Sequence, residues 1–204
     1  MKKLMMALVS IGMMFAVNEA KGQVVQAGNV IIDPYYGGPN FGKTIAKSFE
    51  DDASSDVKVS GIGPMGIRAE YMVSDKIGLG VDFIYNSFNV QFEADSLNAD
   101  GTLFRTFDVK PIMQRYRIQA RFNYHFATTE KVDPYIGVGA GTNLRVWKVK
   151  TDYPNYEYNE SGTLLPISMR VCIGTRYFFT NNIGIHGEIG IGGPVVSAGV
   201  SLKF

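Results

Sequence analysis

The chain has 204 residues, with 20 Lys and Arg against 19 Asp and Glu and a formal net charge of +1, which suits one domain and gives no global pull toward nucleic acid or anionic surfaces. Glycine at 23 and aromatics at 12% are high, and polar–apolar alternation recurs along the chain with no convincing helical period, which points to an all-β protein. Cys172 is the single cysteine, so an intrachain disulfide framework and a cysteine-rich metal site are both excluded.

The first stretch, "MKKLMMALVSIGMMFAVNEAKGQ", has Lys2 and Lys3, an apolar run from Leu4 to Val17, and the small residues Ala20 and Gly22 before Gln23. That is the pattern of a secretory signal peptide, expected to be cut before Gln23. The run falls short of the roughly 20 apolar residues a membrane helix needs. Without a Cys at the cut, lipid anchoring is not expected. The expected organisation is residues 1–22 as signal and 23–204 as one barrel domain.

Beyond Gln23 no apolar run is long enough for a membrane helix. Eight segments instead fit strands, near 26–37, 65–73, 77–92, 112–126, 134–149, 164–179, 183–192 and 195–204, at or above the 9 to 11 residues a tilted membrane strand requires. Successive side chains on a strand point to opposite faces. In the second and third segments Ile67, Ala69, Tyr71 and Val73, then Ile77, Leu79, Val81, Phe83 and Tyr85 share the apolar face. In "RYRIQARFNYHF" (115–126) Tyr116, Ile118, Ala120, Phe122, Tyr124 and Phe126 alternate with Arg115, Arg117, Gln119, Arg121, Asn123 and His125. The later segments continue the pattern. The polar parity collects Asp33, Arg68, Glu70, Asp82, Arg115, Arg117, Arg121, Arg145, Arg170, Arg176, His186, Glu188 and Lys203.

A soluble lipocalin-like barrel puts the apolar face inside, whereas an outer-membrane barrel turns it to lipid and fills its lumen with the polar set. The connections separate the two. They alternate between short ("SDK", "ATTEKVD", "TNN") and long, with the long ones near 38–64, 93–111 and 150–163, which is the asymmetry of periplasmic turns and extracellular loops. Seven of the eight Arg lie on the polar strand faces, while Lys sits mainly in the signal, loops and strand ends. A narrow lumen favours the planar, multidentate guanidinium. Rings at both ends of the fourth segment, Tyr116 against Tyr124 and Phe126, suit two interfacial girdles.

The last ten residues, "VVSAGVSLKF", end on Phe204. With "DPYIGVGAG" (133–141), "GTRYFFTNNIGIHGEIGIG" (174–192) and "IRAEYMVSDKIGLGVDFIY" (67–85), the chain resembles the small bacterial outer-membrane β-barrels that group porin-opacity, OmpX-like and OmpA-barrel proteins. The resemblance implies an eight-stranded antiparallel up-and-down transmembrane β-barrel in the Gram-negative outer membrane. It implies contact with outer-membrane lipid and lipopolysaccharide, and assembly by the barrel-assembly machinery through the terminal strand and Phe204. A monomer without nucleic-acid partner is expected.

For the lumen, eight bases (seven Arg and Lys203) stand against Asp33, Glu70, Asp82 and Glu188. A salt-bridged plug is the default expectation; the cation surplus calls either for loop carboxylates such as Asp51, Asp52 and Asp95 to fold inward or for water and anions, which leaves a narrow anion-preferring path as the alternative. An enzyme is not expected: the chain has only His125 and His186, and the best dyad, His186 with Glu188, reads as lumen packing. No metal-ligand spacing or cofactor motif is present, and "EDDASSD" (50–56) lacks the glycine turn and terminal Glu of a calcium loop. Pro34 cannot donate to a β-ladder, so it marks a bulge or a gap between the first strand and a neighbour. Such a gap would suit lateral release of small hydrophobic solutes, as in OmpW-type barrels. The long loops carry Phe41, Phe49, Phe104, Phe107 and the patch Tyr153, Tyr156, Tyr158, which suits an extracellular protein or glycan ligand. The expected role is thus non-enzymatic, envelope-structural or surface-interacting through the outer loops, with a narrow pore or lateral-release channel for small anionic or hydrophobic solutes as the alternative.

Overall fold

A computed structural model describes residues 22–50, 57–98, 101–154, 158–162 and 166–204, without the side chains of residues 49 and 50. The signal-peptide expectation, the acidic stretch at 51–56 and Tyr156 lie outside the described residues. The strands are β1 (Val30–Gly38), β2 (Lys58–Ser60), β3 (Met65–Ser74), β4 (Ile77–Leu97), β5 (Leu103–His125), β6 (Val132–Thr142), β7 (Leu144–Thr151), β8 (Tyr158–Ser161), β9 (Ile167–Phe178), β10 (Ile183–Ile191) and β11 (Val196–Lys203). Among the described residues one helix, α1 (Phe41–Glu50), lies in the first outer connection.

These strands make one closed antiparallel barrel. Each stave hydrogen-bonds the next in the order β1, β3, β4, β5, β6, β9, β10, β11, and β11 returns to β1, with Ile31 opposite Lys203 and Gly38 opposite Val196. β6 and β7 lie along β5 in a single register, Gln119 opposite Gly141 and Tyr116 opposite Leu144, so they form one stave interrupted at Asn143. Closure leaves no sheet edge within the barrel, which is the condition for strands to cross hydrocarbon.

The apolar parity faces outward. Ile67, Tyr71, Leu79, Val81, Ile118, Phe122, Val138, Val171, Ile173, Ile185 and Val200 are all exposed, a band that in water would be a liability and in lipid is the required surface. Tyr177 and Phe179 stack edge to face at 5.5 Å near the short-turn end, and Tyr85 meets Tyr116 at 5.1 Å toward the other. The glycine-rich inward positions of β6 leave room for crossing side chains: a Cβ on Gly137 would stand 2.4 Å from Asn123 Oδ1 and 2.7 Å from an Arg121 nitrogen.

Three boundaries differ from the sequence reading. Residues 26–29 form a turn, and β1 starts only at Val30, because Gly28 takes a left-handed conformation (φ 88°). Asp133 is a strand residue, not a turn residue, since β6 already begins at Val132. The expected loop at 93–111 is mostly sheet: β4 and β5 stay paired from Ile77–Tyr124 out to Leu97–Leu103. With β2 paired to β4, β7 to β5 and β8 to β7, this hairpin forms a five-stranded sheet that projects beyond the barrel rim.

The projecting sheet reverses the sense of its faces without breaking register. Even residues of β4 and odd residues of β5 and β7 point inward in the barrel, as Asp82 and Arg117 do. Further out the same parity carries Phe88, Val90 and Phe92, then Met113, Pro111 and Val109, then Trp147 and Val149, with Phe88 opposite Met113 and Met113 opposite Trp147. The outward parity there becomes mostly polar, with Ser87, Asn89, Gln91, Glu93, Gln114, Lys110, Asp108, Lys148 and Lys150 against the apolar Ile112 and Val146. Polar-in and apolar-out suits lipid; apolar-in and polar-out suits water. The changeover falls between Asn86–Arg115–Arg145 and Phe88–Met113–Trp147.

Candidate functional site

Along its axis the lumen is stratified. At the short-turn end Val25, Ile31, Met72 and Phe178 are all buried together with Val24, forming an apolar floor. Val24 is tied down by its N–H to the Thr129 carbonyl at 2.8 Å and by the Lys203 ammonium, which donates to the Val24 carbonyl. Lys203 sits over the Phe178 ring, 5.4 Å from its centroid.

Above the floor, Arg176 is fully buried and contacts three carboxylates: Asp33 at 2.8 Å, Asp133 at 3.0 Å, and Glu70. His125 bridges the latter two, its Nδ1 2.7 Å from Asp133 and its Nε2 2.9 Å from Glu70. Asn123 donates to Glu70 at 2.7 Å, and the Ser201 hydroxyl donates to Asp33 at 2.6 Å. His186 Nδ1 lies 3.1 Å from that hydroxyl.

The next layer centres on Glu188, contacted by Arg68 at 2.9 Å, Arg121 at 2.9 Å and the Arg170 Nε at 2.9 Å. Asp82 takes Arg121 at 3.2 Å, Arg68 at 3.4 Å and the Tyr35 hydroxyl at 2.7 Å. The Tyr135 hydroxyl donates to Glu188 at 3.0 Å, and its ring lies under the Arg176 guanidinium at 4.6 Å. Every carboxylate here has at least two charged or hydroxyl partners, the arrangement under which buried charge is tolerated. These two layers, with the floor, fill the bore of an eight-stranded barrel, which is only wide enough for side chains.

The outer layer differs. Arg117 is 4% exposed and donates to the Gly192 carbonyl at 2.8 Å, while Arg115 Nε donates to Asn143 Oδ1 at 2.7 Å. Arg145 stands directly opposite Arg115 in the register. Among the described residues none of these three guanidiniums meets a carboxylate, and the buried Nε atoms of Arg117 and Arg145 have no hydrogen-bond partner. The inward charges named from sequence therefore divide in space. Arg68, Arg121, Arg170 and Arg176 share the carboxylates Asp33, Glu70, Asp82 and Glu188 with the added Asp133, and Arg115, Arg117 and Arg145 are left over toward the outer mouth.

Tyr35 and His125 lie on the polar parity of their strands in the sequence, although neither is among the lumen charges named there. Asp133 and Tyr135 are absent from that set because the expected strand starts only at Pro134 and its inward positions are mostly glycine; parity counted through β6 finds both. His186 and Glu188, the best available dyad from sequence, are not hydrogen-bonded to each other: Glu188 is taken by arginines and Tyr135, and His186 turns to Ser201.

At Pro34 the β1–β11 ladder skips two rungs, passing from Ile32–Leu202 to Tyr35–Gly199, while the β1–β3 side stays continuous through Pro34–Ile67. Of the outer aromatics, Tyr153 and Tyr158 are exposed, with Tyr153 edge to face on the buried Phe107 at 4.7 Å and Tyr158 hydrogen-bonded to Glu160. Phe204 is exposed at the end of β11, its backbone paired in both directions with Val30 at 2.8 Å and 3.0 Å.

Residues 8–195 match the family model described as "Outer membrane protein beta-barrel domain". Among solved structures, the chain is similar to the N-terminal β-barrel domain of Pseudomonas aeruginosa OprF (12% identity, 88% of this chain and 99% of that one, TM-score 0.40). It is also similar to Ail of Yersinia pestis (13% identity, 87% and 99%, TM-score 0.42) and to OprG of Pseudomonas aeruginosa (14% identity, 88% and 97%, TM-score 0.43). No curated protein matches it in sequence.

Proposed function

The chain belongs to the outer-membrane protein β-barrel domain family, and on that premise we propose that it is a non-enzymatic barrel with a sealed lumen that acts at the outer surface. After removal of residues 1–22, the domain 23–204 would sit in the outer membrane as a monomer among lipid and lipopolysaccharide, inserted through recognition of the terminal strand and Phe204. The observation that carries this reading is the pair of ion-paired layers centred on Arg176 and Glu188 above the apolar floor. A conducting path would have to break several buried charge pairs at once, each of which is costly to break by removing one partner.

The same layers argue against catalysis. Ser201, His186 and Asp33 cluster within 3.6 Å, but the serine hydroxyl donates to Asp33, not to the imidazole, and all three are buried between the floor and the Glu188 layer. A nucleophile needs its base to take the hydroxyl proton and a route for substrate. The outer surface, with the projecting sheet and the exposed Tyr153, is the part that would meet a protein or glycan.

Purified barrel, refolded and checked by its heat-dependent gel migration, should give no discrete current steps in a planar bilayer. Reproducible single-channel steps from folded protein would overturn the sealed-lumen reading and restore the narrow pore. The lateral-release alternative has one observation in its favour, the skipped rungs at Pro34. Behind that seam lie Asp33, Ser201 and Arg176, a charged surface that an apolar solute would avoid. Amide exchange at Tyr35 and Gly199 should be as slow as at Ile189; markedly faster exchange confined to the seam would favour release.

A further inference from the structure

The three arginines that meet no carboxylate among the described residues stand at the base of the apolar inner face of the projecting sheet. Arg115 and Arg145 oppose each other across β5 and β7; the next inward pair outward is Met113 and Trp147, flanked by Phe88 on β4. Phe88 and Trp147 meet edge to face at 6.3 Å, and the first turn of α1 closes on the Phe88 ring, where a Cβ on Gly42 would come within 2.5 Å. Beyond them Val90, Phe92, Val109, Pro111 and Val149 continue the apolar face, half-buried. Glu160, on the edge strand β8 opposite Trp147, is the carboxylate nearest in register, and it is exposed and engaged by the Tyr158 hydroxyl.

We propose that this mouth binds a small amphipathic anion, a phosphate or carboxylate head on a short apolar body, with the head on Arg115, Arg117 and Arg145 and the body along Phe88, Met113 and Trp147. The proposal rests on the sealed-lumen, surface-acting reading and names the ligand class for it. Two observations point to the head group. Like charges placed directly across a ladder are unfavourable, so the Arg115–Arg145 pairing is a standing electrostatic cost that an anion between them would remove. Arg117 is buried, and its Nε lacks a partner although a buried guanidinium donor normally finds one; beside the half-exposed Arg115 and Arg145 it completes a set of guanidinium donors of the kind that binds phosphate or carboxylate.

The apolar wall selects the body. An inorganic anion would use only the three guanidiniums, and a neutral alkyl chain only the wall. Since the wall faces inward above the lumen, away from the lipid-facing parity, the ligand enters from outside as a free solute and not sideways from the bilayer.

Trp147 is the chain's one tryptophan and sits in the wall, so its emission reports occupancy. The full-length mature barrel in phosphatidylcholine nanodiscs is titrated with octyl phosphate, octanol and inorganic phosphate. Octyl phosphate is expected to shift Trp147 emission with half-saturation about tenfold or more below that of either half-ligand, each factor of ten corresponding to about 1.4 kcal/mol. Arg115→Gln combined with Arg145→Gln should weaken octyl phosphate about tenfold or more while leaving octanol unchanged, and the double Lys variant should restore part of the affinity. Equal response to octanol and octyl phosphate, or no effect of the Gln pair in a variant that still shows heat-dependent gel migration, would overturn the proposal. So would a shift produced by phosphatidylglycerol in the nanodisc without added solute, which would make the head a membrane lipid's. A flat Trp147 titration in a barrel that remains electrically silent removes the ligand and leaves the sealed-lumen reading intact; current steps remove the latter by themselves.

Discussion

The inner and outer parts of the lumen are both built around arginine, in opposite company. Inside, Arg68, Arg121, Arg170 and Arg176 interleave with Asp33, Glu70, Asp82, Asp133 and Glu188, so that each guanidinium spans carboxylates from different strands. Outside, among the described residues, Arg117 and Arg115 have only a carbonyl and an amide oxygen as partners and the buried Nε of Arg145 has none. The first arrangement stitches staves that are distant in sequence: Arg176 on β9 reaches Asp33 on β1 and Glu70 on β3. The second stitches nothing across the bore. One residue type thus serves cohesion where carboxylates are interleaved and leaves positive potential where they are not.

The largest separation between the two regions should appear on removing one charge from each. Glu188→Ala leaves three guanidiniums facing one another around the vacated position, and breaking a buried network from one side costs about 3–5 kcal/mol. The urea midpoint of the folded barrel, read by gel migration, should fall accordingly. Arg117→Gln should move it far less, since no carboxylate is orphaned. Equal losses in the two variants would break the distinction between a cohesive and an uncommitted arginine layer.

A second comparison sharpens the reversal of faces along the same staves. Val138 on β6 is exposed at mid-strand, whereas Gln114 on β5 shares that outward parity near the changeover level. An arginine in place of a lipid-facing residue costs about 2–4 kcal/mol at the membrane midplane and about 0–1 near the interface. Val138→Arg should therefore destabilise the barrel in lipid vesicles by several-fold more than Gln114→Arg. Similar costs at both positions would mean that the hydrocarbon extends up the projecting sheet.

Much of this was legible in the residues. Period-two alternation placed the staves because lipid on one side and a polar lumen on the other enforce parity at nearly every position, so Ile67 through Val73 and Arg115 through His125 could be assigned to faces by counting alone. Only the outer part of the projecting sheet, 93–111, reads as loop: past Phe92 the residues are mostly polar and include Gly101 and Pro111, so alternation gives no sign that β4 and β5 stay paired there. α1 was missed for a different reason, ten residues being too short for a periodic signal to stand out in a polar connection. Asp133 falls in the expected turn "ATTEKVD" because a charged residue beside other polar ones carries no strand signal of its own, whereas in the fold it pairs with Arg176 across β6 and β9. The cation surplus was countable from sequence; its sorting to the outer mouth was not, since height along the axis depends on the shear of the barrel, which alternation does not encode.

The smallest expected effect bears most directly on that sorting. Arg115 and Arg145 face each other across the β5–β7 ladder, and like-charged cross-strand neighbours disfavour pairing by about 0.2–1 kcal/mol relative to uncharged ones. Arg115→Gln keeps a side chain that can still donate to Asn143 and removes half of the repulsion. It should raise the urea midpoint slightly at low salt, and the gain should shrink as ionic strength rises, because the pair is half-exposed and open to screening. A variant of the inner layer cannot behave this way: there every arginine removed exposes a carboxylate. If Arg115→Gln instead destabilises the barrel, the outer arginines are held by a counter-charge, and the contrast between the two halves of the lumen is lost.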